Sequence, residues 1–295
     1  MKITVITVAY NAAATLGDTL RSVAAQSHDD IEHLVIDGAS TDDTARVFDA
    51  NAGARSQLFS APDAGLYDAM NKGVARATGD LIGFLNADDF FRRTDAVARV
   101  AAAAATGADA VSGGVAIVDA HNAGKLTRNY PARPFAPWML RFGHMPPHPG
   151  FYVRREAFAA VGPFDTTLRI GADFEWMLRF YRVHTLRARA IPETLVSLRE
   201  GGLSNSGFGS RRRINAEALA SLKRHGVRSA APLVWAKYAF KALQFVTRPA
   251  DWPPPSGIGF DPRLTPHGGT ATPKRGYGEA QGLDANGIVV AARSQ

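Results

Sequence analysis

The chain of 295 residues contains no cysteine, which excludes disulfide frameworks, thiolate nucleophiles and cysteine-ligated metal sites. It also lacks the roughly 20 consecutive apolar residues that a membrane-spanning helix needs. The nearest candidate, residues 233–246, is shorter and contains Lys237 and Lys241. The apolar start breaks off at Tyr10-Asn11 without a signal-peptide cleavage site, so we interpret it as a strand. We therefore expect a cytoplasmic protein that is soluble or peripheral to a membrane.

Acidic residues are scarce in one stretch only. The formal net charge is +7, and residues 205–248 contain nine lysines and arginines but a single acid, Glu217. The main body before residue 205 is close to neutral. A nucleic-acid-binding protein needs a basic surface on its principal fold, so we expect no nucleic-acid partner.

Short apolar runs alternate with helical patterns in the first half of the chain. Strands are predicted at 3–8, 33–36, 58–59 and 81–85, with helices at 41–48 and around 66–74. This alternation indicates a layered α/β sheet whose ligands bind beyond the carboxyl ends of the strands. Polar residues follow all four strands and should share one crevice: Tyr10-Asn11, Asp37, Asp63 and the run from Asn86 to Asp89.

The second half shows a mixed pattern. Strands are predicted at 110–118 and 150–153, and helices at 172–183, 210–225 and 233–246. Residues 249–295 include seven prolines and eight glycines, a composition typical of a disordered tail. The predicted organisation is a folded domain over 1–205, a basic helical segment over 206–248 and a disordered tail over 249–295.

Two adjacent acids, Asp88 and Asp89, follow the fourth predicted strand. Neighbouring carboxylates repel each other, and a divalent cation with oxygen ligands relieves that repulsion. A helix N-cap is the structural alternative, because residues 94–105 have a helical pattern.

Four motifs stand out: the opening strand through Asn11, residues 35–44, residues 63–73, and residues 77–80 leading into 84–89. Together they resemble the family 2 glycosyltransferases of the GT-A fold, and over residues 1–205 the chain is most similar to the enzymes of bacterial capsule, exopolysaccharide and lipopolysaccharide assembly. The resemblance implies an inverting hexosyltransferase that moves a sugar from a nucleotide diphosphate to an acceptor hydroxyl, and the usual acceptor class in similar enzymes is a lipid-linked glycan. It makes 1–205 the catalytic domain, with a Rossmann-like half over 1–108 that would bind the nucleotide sugar and a mixed half over 109–205 that would bind the acceptor.

The family's Asp-x-Asp motif falls on Asn86-Ala87-Asp88. The resemblance makes Asp88 the ligand of Mg²⁺ or Mn²⁺ that bridges the donor diphosphate. Asn86 departs from the family pattern and brings a hydrogen-bonding amide without charge. Asp89 is a candidate to supply the missing charge.

The same resemblance assigns the nucleotide-binding residues. Val8, Tyr10 and Asn11 at the first strand end would cup the nucleoside, and Asp37 would accept from the base ring. Asp63 and Lys72 match the next motif, in which a lysine suits phosphate. The structural alternatives are a core-edge aromatic for Tyr10, a turn at Asp37-Gly38 and an ion pair between Lys72 and Asp68.

Asp173 is the candidate catalytic base. Helical spacing places it on an inward face with Trp176, Met177 and Phe180, and directs Glu175 elsewhere. Apolar neighbours raise the pKa of such a carboxyl and the helix dipole lowers it. A simple N-cap is the alternative, and many family members have Glu where this chain has Ala172.

Two further residues match the family near the donor and acceptor. His148 precedes a predicted strand, as a histidine does near the acceptor in similar enzymes. Gly202 belongs to a stretch that matches a family loop, which follows the last strand of the catalytic domain close to the donor diphosphate. A structural histidine and an ordinary turn are the alternatives.

Other protein classes fit the pattern less well. A sugar-phosphate nucleotidyltransferase would need a glycine-rich, arginine-containing loop after the first strand, and residues 10–14 lack one. A response-regulator-like domain would carry its acid pair after the first strand rather than the fourth. A degenerate, inactive transferase that acts as an assembly partner stays open.

The basic segment over 205–248 has two interpretations. Its last helix is largely apolar with a cationic stripe at Lys237, Lys241 and Arg248, and it could pack against the catalytic domain. It could instead lie on an anionic membrane surface, and we favour this because the adjoining arginines lack acidic partners. That interpretation puts the enzyme on the inner face of the plasma membrane.

Overall fold

The computed structural model describes residues 1–201 and 208–247, the latter without the side chains of 208 and 239–246. The strands in these ranges are β1 Ile3–Ala9, β2 Ile31–Asp37, β3 Ser56–Ser60, β4 Leu81–Phe84, β5 Phe90–Phe91, β6 Ala110–Val118, β7 Leu126–Tyr130, β8 Phe151–Arg154 and β9 Ala188–Arg199. The helices are α1 Leu16–Ala24, α2 Thr44–Asn51, α3 Leu66–Arg76, α4 Ala96–Ala104, α5 Arg155–Val161, α6 Ala172–Leu178, α7 Phe208–Arg224 and α8 Ala231–Val246.

One sheet runs through the whole catalytic region. Its strand order is β3-β2-β1-β4-β8-β6-β9-β5, and β7 pairs with β6. The four strands β3, β2, β1 and β4 are mutually parallel, whereas β8 runs antiparallel to both β4 and β6. This is the predicted layered α/β sheet with a Rossmann-like half and a mixed half.

The parallel half is built from strands that are covered on both faces. All seven residues of β1 are buried, which explains its continuous apolar and β-branched sequence. The register pairs Ala9 with Asp37 and Ile6 with Phe84, so the carboxyl ends of β1, β2 and β4 lie side by side. Helix α3 approaches closely, since a Cβ on Gly73 would lie 2.5 Å from Ile6 Cγ2.

An aromatic cluster surrounds helix α6 in the mixed half. The Trp176 ring stacks on Phe158 with centroids 4.7 Å apart and on Phe180 at 5.6 Å. Its indole N–H donates to the Gly162 carbonyl at 2.8 Å. The helix then continues into a π-helical turn, Arg179–Val183. The cluster fixes the helix whose first turn carries Asp173.

The C-terminal helices pack on the catalytic region. Helix α7 contacts α6, and α8 contacts β7 and a 3-10 turn at Pro137–Phe142. Val234 is fully buried, and Lys237 is only 4% exposed. The predicted cationic stripe is therefore wrong at Lys237, because that face of α8 covers the acceptor half. The side chain of Lys241 and the whole of Arg248 lie outside the described residues.

Several predicted elements differ from the observed ones. Helix α2 begins at Thr44 rather than residue 41, because Asp42 accepts hydrogen bonds from Thr44 in the preceding turn. The sequence did not locate β5, β7 or β9; the last of these is interrupted by Pro192-Glu193 and lacks a clear alternation. The predicted disordered tail over 249–295 lies outside the described residues. Within the described ranges, no helix combines the length and hydropathy needed to span a bilayer.

Candidate active site

The loops that follow β1 and β2 hold each other in place. The Asn11 backbone N–H donates to Ser40 Oγ at 2.8 Å, and Asn11 Oδ1 accepts the Thr41 N–H at 2.9 Å. Asn11 and Ala39 both adopt positive φ, at 48° and 58°, which is uncommon for residues with a side chain. Asn11 therefore stabilises the two loops, in addition to its predicted contact with the nucleotide.

Asp37 is buried at the end of β2, and its carboxylate accepts several hydrogen bonds. It accepts the Ser40 N–H at 3.1 Å, the Ser40 hydroxyl, and the Ser60 hydroxyl at 2.6 Å. These bonds compensate for burial of the charge. Asp37 therefore stabilises the turn that follows β2. A ligand could bind only to the lone pairs of its carboxylate that these hydrogen bonds leave unused.

The backbone at Gly38 lies close to the side chains of both Tyr10 and Asp63. A Cβ on Gly38 would lie 2.5 Å from Asp63 Oδ2 and 3.3 Å from Tyr10 Cδ2. Asp63 Oδ1 accepts the Gly65 N–H at 2.8 Å, whereas Oδ2 is buried without a hydrogen-bond partner among the described residues. Burial raises the pKa of Asp63. The exposed ring of Tyr10 and the Asp63 Oδ2 atom, which has unused hydrogen-bonding capacity, therefore both lie beside Gly38.

Lys72 anchors the chain that leads to Asp63. Its ammonium lies 2.8 Å from Asp68 Oδ2 and donates to the Pro62 carbonyl at 2.8 Å. The expected i, i+4 ion pair is therefore present. These two contacts leave one of the three ammonium N–H donors for a phosphate.

The Asn86-Ala87-Asp88 segment is bound to the end of β1. The Ala87 N–H donates to the Val8 carbonyl at 3.3 Å, which uses one backbone acceptor of the predicted nucleoside cup. Asn86 Oδ1 and Asp89 Oδ1 are both buried without a hydrogen-bond partner in the described ranges. Burial, and then the charge of Asp88, raises the pKa of Asp89 well above its usual range.

These oxygens fit a hard divalent cation. The described residues contain no group of three or more His, Cys, Asp or Glu side chains that could hold a metal alone. Mg²⁺, however, commonly takes one or two carboxylates and completes its shell with substrate phosphates and water. The Asp88 and Asp89 carboxylates and the orphaned Asn86 Oδ1 offer that donor set, and a cation would offset the repulsion between the two acids.

Arg199, at the end of β9, is a neighbour of this segment that the sequence did not reveal. It is 8% exposed, forms an ion pair with Asp18 and lies over the Phe90 ring at 5.2 Å. A backbone hydrogen bond and the positive charge from Arg199 both lower the pKa of Asp89. The pairing of β9 with β5 and with β6 brings it there.

Asp173 lies in the first turn of α6, next to the donor half. Its Oδ1 accepts the Phe174 N–H at 2.8 Å, and the Tyr67 hydroxyl lies 3.5 Å from the same oxygen. Tyr67 also donates to the Ile170 carbonyl. Burial raises the pKa of Asp173 to about 6, with a smaller rise from the charge of Glu217. Of the two opposing effects expected from the sequence, removal from water is the stronger.

Glu175 is buried on a side of α6 different from that of Asp173. The residue is 3% exposed because α7 covers this side of α6. Its carboxylate lies 2.9 Å from an Arg179 guanidinium nitrogen and 2.8 Å from His225 Nε2. Glu175 therefore joins the two helices and is not available to substrate.

Glu217 on α7 holds the loop that precedes Asp173. Its carboxylate accepts the backbone N–H groups of Arg169 at 3.2 Å, Ile170 at 3.1 Å and Gly171 at 2.7 Å. The sequence analysis did not assign it a function. Its isolation as the single acid among nine basic residues was the available signal.

His148 lies inside an aromatic group. Its ring stacks on Phe84 at 5.3 Å and meets Phe164 edge-on at 5.9 Å. Loss of solvent lowers the pKa of His148 to about 4, so the imidazole is neutral near pH 7. These contacts favour a structural role. Gly202 lies outside the described residues, so its predicted place near the diphosphate has no structural counterpart here.

Solved structures of nucleotide-sugar enzymes share this fold. Staphylococcus aureus TarS 1–349 in complex with UDP matches with a TM-score of 0.54 and 16% identity, covering 74% of this chain and 65% of TarS 1–349. A mannosyltransferase of Pyrobaculum calidifontis in complex with GDP-Man and Mn²⁺ also gives 0.54, with 18% identity over 84% of this chain and 81% of that one. The fold is that of the GT-A glycosyltransferases.

Sequence comparison gives the family. The description "Glycosyl transferase family 2" matches residues 4–162. A "PGL/p-HBAD biosynthesis glycosyltransferase" of Mycobacterium tuberculosis is 35% identical over 202 residues, covering 66% of this chain and 76% of that protein. The chain therefore belongs to glycosyl transferase family 2 and is a glycosyltransferase. This result favours the predicted family over the nucleotidyltransferase and response-regulator alternatives.

Replacing Glu217 with Ala should lower the free energy of unfolding by at least about 2 kcal/mol, since hydrogen bonds to a charged group contribute about 1.5–3 kcal/mol each and are not additive. Urea unfolding measures the change. Glu156→Ala, at an exposed glutamate of α5, is the control and should stay within about 0.5 kcal/mol of wild type. Equal stability of both variants would show that Glu217 does not hold the loop.

Proposed function

We propose that the protein is a divalent-metal-dependent, inverting hexosyltransferase. It moves a sugar from a nucleotide diphosphate donor to a hydroxyl of a lipid-linked glycan acceptor. The observation that carries the proposal is the position of Asp173. This carboxyl, with a pKa raised to about 6, lies 3.5 Å from the hydroxyl of Tyr67, which belongs to the motif over residues 63–73 in the donor half.

The donor would lie across the carboxyl ends of β1, β2 and β4. Tyr10 offers a ring on which a nucleobase can stack, and the unpaired Asp63 Oδ2 offers an acceptor for a base or ribose donor. Asp37 shapes the turn between them. The solved neighbours hold UDP, UDP-GlcNAc or GDP-Man, which supports a nucleotide-sugar donor without selecting the base.

The diphosphate would lie at the Asn86-Ala87-Asp88 segment. A divalent cation held by Asp88, with Asp89 and Asn86 beside it, supplies positive charge for the departing nucleoside diphosphate. Lys72 is the candidate for a direct phosphate contact. The Mn²⁺ bound to the Pyrobaculum calidifontis enzyme supports this expectation.

Replacing Asp88 with Ala should abolish metal-dependent donor binding and leave the fold intact, because Asp88 is not part of the apolar core. Calorimetry with UDP and GDP, with and without Mn²⁺, measures the effect. Asp43→Ala, at an exposed acid that pairs with Arg46 on α2, is the control. An Asp88→Ala variant that retains the Mn²⁺-dependent increase in affinity would contradict the metal assignment.

Inversion in a single displacement requires one base. The acceptor oxygen attacks the anomeric carbon from the face opposite the diphosphate, and its bond to that carbon forms as the carbon–oxygen bond to the phosphate breaks. The nucleoside diphosphate leaves with the bonding electrons. Asp173 takes the acceptor hydroxyl proton, and a pKa near 6 keeps it mostly ionised at pH 7 yet more basic than an ordinary aspartate.

Transfer by the wild-type enzyme should fall about tenfold per pH unit below pH 6 and level off above pH 7, as Asp173 ionises. Asp173→Asn keeps the shape and removes the basicity, so transfer should decrease by about 10²–10⁴-fold with donor affinity unchanged. Activity assays across pH, together with donor titrations, test both statements.

The stability of Asp173→Asn provides the control for this experiment. The folded-state pKa of Asp173 lies above its ordinary value of 3.8, so ionisation between about pH 4 and 6 destabilises the folded protein. The Asn variant should therefore be at least as stable as wild type at pH 7. Full activity, or activity lost together with stability, would leave Asp173 as a helix cap.

A lipid-linked acceptor requires access to a membrane. The matched mycobacterial relatives are named for PGL/p-HBAD biosynthesis rather than for capsule or lipopolysaccharide assembly. We propose that α7 lies at the anionic inner face of the plasma membrane through exposed basic residues that do not pack on the core. These are Arg211, Arg212, Arg213 and Lys223.

Co-sedimentation with anionic vesicles tests this contact. Wild type should bind at low salt and be released at high salt, since each basic residue near anionic lipid contributes about 1 kcal/mol. Replacing Arg211, Arg212 and Arg213 together with Gln should weaken binding at least about tenfold.

The matched control replaces three exposed arginines of the acceptor half, Arg182, Arg187 and Arg189, with Gln. Deletion of the whole segment is unsuitable because Glu217 holds the Asp173 loop. Equal loss of vesicle binding in both triple variants would show that only the net charge of the protein matters. A wild-type protein that does not bind the vesicles would contradict the proposed membrane contact.

A further inference from the structure

The acceptor half contains an apolar cavity that the donor site does not use. Its volume is about 290 Å³, at the lower end of the range of ligand pockets. It is enclosed by residues 130–135, the 3-10 turn over 137–142 and residues 144–147. The lining side chains include Tyr130, Phe135, Trp138, Met139, Phe142 and Met145.

The cavity adjoins the candidate base. Phe135 packs on Tyr181, with ring centroids 4.9 Å apart, in the π-helical turn that continues the helix of Asp173. The Tyr130 hydroxyl donates to the Met145 carbonyl and closes one wall. The charge of Asp173 contributes to the raised pKa of Tyr130, whose main cause is burial. His148 follows the lining residues 144–147 in sequence, and its ring stacks on Phe84, which lies two residues before Asn86.

Lys237 lies beside Gly143, which separates the lining residues Phe142 and His144. A Cβ on Gly143 would lie 3.2 Å from its ammonium nitrogen. Burial lowers the pKa of Lys237 to about 8, and the negative charge of Asp173 partly opposes that shift. A ligand that extends from the region of Asp173 past Lys237 would therefore pass from charged to apolar surroundings.

The chemistry of the lining selects the ligand class. The lining is mostly sulfur, proline and aromatic surface, and its polar members are Arg133, His144 and Thr247. Most hydroxyl groups of a sugar would therefore lack hydrogen bonds there, which is costly, whereas an alkyl or aryl group would gain from leaving water. Trp138 is 62% exposed and meets Phe142 edge-to-face at 5.9 Å, so a large apolar surface stands open to solvent.

We infer that this cavity binds the apolar aglycone, an alkyl or aryl group, of the glycosyl acceptor, with the reacting hydroxyl directed to Asp173. The inference rests on the proposed transferase function and adds a substrate class to it. The aglycone would anchor the acceptor while the polar crevice selects its sugar.

Calorimetric titration with methyl, phenyl and octyl β-D-glucosides, below their micelle concentrations, tests the inference. The octyl or the phenyl compound should bind at least about tenfold more tightly than the methyl compound, and comparison of the two separates an alkyl from an aryl preference. Trp138→Ala should remove that gain. Trp235→Ala, at an exposed tryptophan that is not among the cavity's lining residues, is the matched control and should retain it.

Equal affinity for all three glucosides, or a gain that survives Trp138→Ala, would overturn the cavity assignment. Asp173→Asn separates this result from the proposed function, because aglycone binding needs no base and should persist in that variant. Wild-type transfer to an acceptor hydroxyl without an aglycone effect would contradict the cavity alone. An aglycone effect without any transfer would contradict the transferase proposal, on which the acceptor role of the cavity rests.

Discussion

The whole site depends on the burial of carboxyl groups at one edge of the sheet. The loss of solvation is compensated differently at three acidic residues of this edge. Asp37 accepts hydrogen bonds from backbone and hydroxyl donors, Asp89 has one oxygen without a donor among the described residues, and Asp173 has a pKa raised to about 6. In the proposed mechanism these differences would separate structural support, cation binding and proton transfer among side chains of one chemical type.

The C-terminal helices belong to the same machinery. Glu217 on α7 fixes the three residues before the helix of Asp173, and Glu175 joins that helix to His225. Lys237 on α8 faces the acceptor side rather than solvent. A segment for which the sequence left both packing and membrane contact open therefore shapes the acceptor half, and the proposed membrane contact would use the exposed basic residues of α7.

The sequence predicted the parallel half well because its signals are local. Buried strands such as β1 appear as continuous β-branched runs, and the polar residue after each strand marks the edge where ligands bind. The missed features depend on contacts between distant parts of the chain. Glu175 is buried by α7, Arg199 reaches Asp89 through β9, and Lys237 is covered by the acceptor half, none of which helical or strand periodicity encodes.

The central claim is that one crevice holds the donor between the ends of β1, β2 and β4 and the first turn of α6. A crystal structure of the protein with Mn²⁺ and a bound nucleotide sugar tests it most directly. The account predicts the cation on Asp88, the nucleobase between Tyr10 and Asp63, and the anomeric carbon facing the Asp173 carboxylate. A donor whose anomeric carbon faces away from Asp173, or a cation bound elsewhere, would contradict it.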